Sequence, residues 1–98
     1  MTRDEVITKL RAHEAELRAA GIVSLAVFGS VARGDETPQS DVDLLANFDQ
    51  TRNFTLLALG ALECDLADIL GVRVDLSSPE WLTEPIKNHV LREAVNAF

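Results

Sequence analysis

The sequence predicts a small α/β (α+β) two-layer domain, a mixed sheet flanked by helices in the order α-β-(short α)-β-α-β-α. Apolar residues recur at helical spacing near the start, in the middle and at the end of the chain. Between them lie short apolar or alternating runs, Ile22–Phe28, Asp41–Phe48 and Val72–Leu76, that read as strands. The loop joining the first two runs is polar, carries Gly34 and Pro38, and lacks a full helix, so those strands are free to pair antiparallel and the sheet is expected to be mixed.

The elements follow in order. Thr2 and Glu5 form a capping box, and Val6, Leu10, His13 and Leu17 continue at helical spacing with Ile7 beside them. Gly21 tolerates the positive φ of a C′ position, so the first helix is expected over residues 3–20. Ile22–Phe28 is a buried strand stopped by Gly29, and Ser30–Arg33 forms one helical turn. Along Asp41–Phe48, Val42, Leu44 and Ala46 point one way and Asp41, Asp43 and Leu45 the other. A helix opens at Thr51 or Asn53, carries Leu59, Leu62, Leu66 and Ile69 on one stripe, and ends at Gly71. In Val72–Leu76, Val72, Val74 and Leu76 oppose Arg73 and Asp75. Ser78-Pro79-Glu80 starts a short helix with Pro at its first position. Pro85 starts the last one, which runs to Phe98 with Ile86, Val90, Leu91, Ala94 and Val95 as its apolar face.

Composition narrows the function. A chain of 98 residues suits one domain over residues 1–98, with no room for a separate substrate domain. Its 47% hydrophobic fraction supports a core. The net charge of −7 argues against direct nucleic-acid binding through a broad basic face. The single Cys64 excludes an internal disulfide and a Cys-rich zinc site. The charged N-terminus has no apolar segment behind it and no run approaches the ~20 residues of a spanning helix, so a cytoplasmic protein without membrane contact is expected.

Asp41, Asp43 and Asp75 are acidic strand positions on the face opposite the apolar one. Clustered carboxylates repel, so either their pKa values rise or a cation sits among them, and an all-oxygen set suits Mg²⁺ or Mn²⁺. Upstream, Phe28-Gly29-Ser30-Val31-Ala32-Arg33-Gly34 offers a close backbone approach at Gly29, donors at Ser30 and a guanidinium at Arg33, which together suit a phosphate. A phosphate cradle beside a carboxylate cluster is what metal-assisted phosphoryl or nucleotidyl transfer requires. The other conspicuous side chains have plainer roles: His13 as a packed or interface residue, His89 as an exposed one, Cys64 as a small helix residue. Trp81 reads as a core or interface anchor, and Phe98 either extends a surface or folds back on the sheet.

Gly29-Ser30, ten intervening residues, then Asp41-Val42-Asp43-Leu44 and later Val74-Asp75-Leu76 resemble the signature of the DNA polymerase beta nucleotidyltransferase superfamily. Over its length the chain is similar to the minimal nucleotidyltransferase (MNT) antitoxins of HEPN/MNT toxin–antitoxin pairs, including the closing Leu91-Arg92-Glu93-Ala94-Val95. The resemblance implies the nucleotidyltransferase fold, with Gly29 and Ser30, and Arg33 less strictly, binding the nucleotide. It implies Asp41, Asp43 and Asp75 as catalytic carboxylates holding two Mg²⁺ ions, with Asp75 helping to deprotonate the incoming hydroxyl. It further implies ATP as substrate, a HEPN ribonuclease toxin as partner in a hetero-oligomer, and AMP transfer to a tyrosine of that toxin, which silences it. The chain has no Tyr, so such an acceptor is expected on the partner. The alternatives are an antitoxin that binds nucleotide and neutralises by masking, and a small-molecule nucleotidyltransferase, which the short length disfavours.

Overall fold

The computed structural model describes residues 1–98. The elements are α1 (Arg3–Ala12), α2 (Glu14–Ala19), β1 (Ile22–Phe28), α3 (Gly29–Arg33), β2 (Val42–Phe48), α4 (Leu56–Leu70), β3 (Val74–Ser77), a 3₁₀ turn (Pro79–Trp81), α5 (Ile86–Glu93) and β4 (Val95–Asn96).

Thr2 and Glu5 form the expected capping box at the start of α1. The expected continuous helix to Ala20 breaks at His13, whose backbone sits at φ −111°, ψ 16°. In an unbroken helix the Lys9 carbonyl would accept from the His13 N–H. Here His13 Nδ1 lies 3.0 Å from that carbonyl, and the His13 N–H donates to Leu10 instead. The next long helix starts later than expected. Thr51 closes a turn on Asp49, donating from both its N–H and its hydroxyl, so the cap falls to Thr55, whose hydroxyl oxygen accepts from Ala58 at 3.0 Å. Gly71 ends α4 in the left-handed region at φ +73°.

The sheet order is β3-β2-β1-β4, with β1 antiparallel to β2 and β4, and β2 parallel to β3. The mixed sheet is therefore as expected, and α4 is the crossover between its parallel strands. One face packs Leu25, Val27, Val42, Leu44, Ala46 and Val74 against the buried side chains of α1, α2 and α4, Val6, Leu10, Leu17, Leu62, Leu66 and Leu70. On the other face Ala26 and Leu45 are covered by Val90 of α5.

The C-terminus departs most from expectation. The last helix ends at Glu93, and the chain turns extended at Ala94. Val95 and Asn96 then pair with Val27 and Ala26. Hydrogen bonds continue past the strand: the Leu25 N–H donates to the Phe98 carbonyl at 3.0 Å, and the Ala97 N–H to the Leu25 carbonyl at 2.8 Å. These bonds satisfy the edge of β1, which a helix running to Phe98 would leave open. Phe98 folds back, with the Arg18 guanidinium 5.0 Å over its ring. Ile86 and Leu91 stay exposed at 58% and 45%, because only Val90 of α5 is buried against the sheet. Trp81 stacks on Phe48 at 5.7 Å while remaining half exposed. No helix is long and apolar enough to cross a membrane.

Candidate active site

Strand alternation carries Asp43 and Asp75 to the α5 face of the sheet. β2 and β3 are parallel and in register at these residues, so Asp43 is directly opposite Asp75. On its other side Asp43 is paired with Phe28, the residue before the Gly29 turn. Two carboxylates and the turn thus share one row across the sheet.

Asp43 is half-buried, while Asp41 and Asp75 are exposed. Burial pushes the Asp43 carboxyl above the usual carboxylate range. The negative charges of Asp75 and Asp41, a hydrogen-bonding contact with Asp75, and the charge of Glu93 push it the same way. Asp41 lies one residue before β2 and acts on Asp43 through its charge. The structure brings Asp43 and Asp75 together, and no group of three or more His, Cys, Asp or Glu side chains closes into a metal-binding cluster. A half-buried carboxyl beside the carboxylates of Asp75 and Asp41 fits a hard divalent cation: a positive ion there would offset the charge repulsion that adds to burial in raising the Asp43 pKa.

Gly29 opens α3 at φ +75°. A Cβ at this position would stand 2.1 Å from Asp43 Oδ2 and 3.0 Å from its Cγ. The turn is therefore packed onto the carboxylate, and glycine is required by both backbone and neighbour. Glycine suits the close approach of a phosphate at this position, and the contact with Asp43 is an additional reason for it. Ser30 follows as the second residue of α3, and Val31 and Ala32 are buried. Arg33, at the end of α3, is held by Asp35 at 3.0 Å and by Glu93 at 2.9 Å.

Glu93 joins the site with no local sequence signal to mark it. Its Oε1 accepts from the Gly29 N–H at 2.5 Å and its Oε2 from Arg33 at 2.9 Å, with His89 Nε2 3.4 Å away. The side chain is 10% exposed. Burial pushes its carboxyl up, but the hydrogen bonds from Arg33 and Gly29 and the charges of Arg33 and His89 outweigh burial and hold it below the usual range. Within the sequence, Glu93 reads as one more polar position of an amphipathic helix; its partner at Gly29 is 64 residues away. Beside Asp41 opens a cleft of about 390 Å³ lined by Pro38, Gln39, Ser40, Val72 and Arg73.

Comparison with known proteins identifies the family and the fold. The nucleotidyltransferase domain family profile matches residues 7–97. The protein adenylyltransferase MntA of Thermococcus cleftensis is 41% identical over 97% of this chain and 95% of its own. A solved structure provisionally named a minimal nucleotidyltransferase superposes with a TM-score of 0.80 at 39% identity, covering 97% of this chain and 95% of that one. A chain from a complex described as tri-AMPylated Shewanella oneidensis HEPN toxin with MNT antitoxin superposes with a TM-score of 0.66 at 17% identity, over 94% of this chain and 71% of that one. At that identity the likeness shows the fold.

Proposed function

The chain belongs to the nucleotidyltransferase domain family, and from that premise we propose that it is an antitoxin that transfers AMP from ATP to a tyrosine hydroxyl of a HEPN toxin. The observation that carries the reading is the in-register Asp43–Asp75 pair with the Gly29 turn packed onto Asp43. The relative's description as a protein adenylyltransferase and the AMPylated toxin in the structural neighbour support a protein acceptor and a toxin partner.

In this reading residues 1–98 form one catalytic unit working in the cytoplasm, where ATP is available. Asp41, Asp43 and Asp75 would hold Mg²⁺, with Mn²⁺ as the alternative ion. When bound, such ions would supply positive charge to offset the charge that builds up on the transferring phosphate. The Gly29–Ser30 turn orients the triphosphate next to Asp43. The acceptor oxygen attacks the α-phosphorus, the bond to the β-phosphate oxygen breaks, and pyrophosphate leaves. The hydroxyl proton passes to Asp75, whose exposed carboxylate can receive it and return it to water.

The second reading is a masking antitoxin. It is favoured by the internal engagement of two groups assigned to the nucleotide, since Glu93 occupies both the Gly29 N–H and Arg33. Two assays, labelling in vitro and growth rescue in cells, separate the two readings. The chain is incubated with Mg²⁺, labelled ATP and the toxin encoded by the adjacent reading frame, alongside the Asp41→Ala/Asp43→Ala variant. Label on the toxin with the wild-type chain alone supports transfer. Growth rescue by the double variant equal to wild type supports masking.

A further inference from the structure

We propose that Glu93 is a positioning residue, fastening α3 at both ends and so setting where the Gly29–Ser30 turn stands against Asp43. The inference rests on the nucleotidyl-transfer reading of the same site. Gly29 is the first residue of α3 and Arg33 the last. One carboxylate serves both, Oε1 accepting from the Gly29 N–H and Oε2 from the Arg33 guanidinium.

α3 has five residues, too few to hold a helical geometry unaided. Its place is set by what it touches. Val31 and Ala32 anchor it in the main core. Glu93 is the tie on the α5 side. With only 10% of the Glu93 side chain exposed, its bond to the Gly29 N–H is part-buried, where a charge-assisted hydrogen bond is strong, while its bond to the half-exposed Arg33 is open to water and weaker.

Glu93 is itself well placed to act as an anchor. Val90, one turn earlier on α5, is buried against Ala26 and Leu45. Immediately after Glu93 the chain joins β1 as β4. The C-terminal segment is thus fixed to the sheet on both sides of Glu93, and Glu93 carries that fixed position to the turn. Because a Gly29 Cβ would lie only 2.1 Å from Asp43 Oδ2, movement of the turn is felt directly at that carboxylate.

The test compares wild type, Glu93→Ala, Glu93→Gln and Asp35→Asn in the full chain. Asp35→Asn removes the other carboxylate on Arg33 but leaves the Gly29 contact intact. Each variant is assayed for AMP transfer to the toxin well below its Tm, and the Gly29 amide proton is followed by NMR. Glu93→Ala is expected to lose ~10- to 100-fold in kcat/KM, with the fall in kcat exceeding the rise in KM, as for a misplaced reacting geometry. Glu93→Gln keeps an acceptor for the Gly29 N–H but none for Arg33, and is expected to restore part of that loss, while Asp35→Asn stays near wild type. The Gly29 amide resonance, shifted downfield by a carboxylate acceptor, should move upfield in Glu93→Ala and stay in place in Asp35→Asn. The proposal is overturned if folded Glu93→Ala leaves that resonance unmoved, or if its loss of activity is accounted for by its unfolded fraction. Should the wild-type chain transfer no AMP, the functional reading falls, and the amide resonance alone decides whether Glu93 holds the turn.

Discussion

Replacing Gly29 by Ala tests the contact on which the site is built. Two costs arise. The backbone stands at φ +75°, where an L residue loses about 1–2 kcal/mol. The new Cβ would also meet Asp43 Oδ2 at 2.1 Å, against ordinary contacts that begin at 3.4 Å. Asp43 has to give way by roughly 1 Å, since its Cγ at 3.0 Å is crowded as well. Gly71→Ala is the matched control, with φ +73° and no atom within 4 Å of its Cβ. It carries the backbone cost alone, a Tm fall of roughly 4–16 °C for a domain of this size. Gly29→Ala should fall at least as far, and in addition lose AMP transfer by about 100-fold, the scale of a 1 Å misplacement of a reacting group. Thermal unfolding followed by circular dichroism and a labelled-ATP transfer assay read the two effects separately. A folded Gly29→Ala chain that transfers AMP as well as Gly71→Ala would refute the reasoning.

Asp43→Asn should raise the Tm of the metal-free protein at neutral pH while abolishing transfer. The Asp43 pKa is raised in the fold, so its neutral form favours folding below the usual carboxylate range and that contribution is lost as pH rises through the raised value. The advantage of Asn should therefore vanish in acid, as urea unfolding at neutral and low pH will show. Mg²⁺ should raise the wild-type Tm, a chelator should reverse the gain, and Asp43→Asn should abolish most of it; saturation at 100 times Kd corresponds to about 2.7 kcal/mol. Leu66→Ala, at a fully buried position of the main core, should cost about 2–5 kcal/mol, read as a lower urea midpoint. Truncation after Ala94 removes β4 and buried Ala97 together with their bonds to β1, and should lower both Tm and transfer, since it also frees the end of α5 next to Glu93.

The sequence showed much of this site because its key residues obey local rules. Alternation alone put Asp43 on the face opposite Val42 and Leu44, and Asp75 opposite Val74 and Leu76. Glycines at the ends of β1 and α4 marked real boundaries, because each stands at positive φ. What escaped was set by contacts distant in the chain or by competition for one group. The His13 ring takes the carbonyl that would have continued α1, an outcome that apolar spacing does not reveal. Thr51 was spent on Asp49, which moved the cap to Thr55. Val95 fits a helical stripe, and only the open edge of β1 draws it into a strand. Glu93 has its role from Gly29 and Arg33, which no pattern along α5 reports.

The most direct test of the central claim is the intact mass of the toxin partner after incubation with this chain, ATP and Mg²⁺. The account predicts that the toxin gains whole AMP increments with wild type, none with Asp41→Ala/Asp43→Ala, and that the modified tyrosine is found by peptide mapping. An unmodified toxin in a stable complex with the wild-type chain would contradict it.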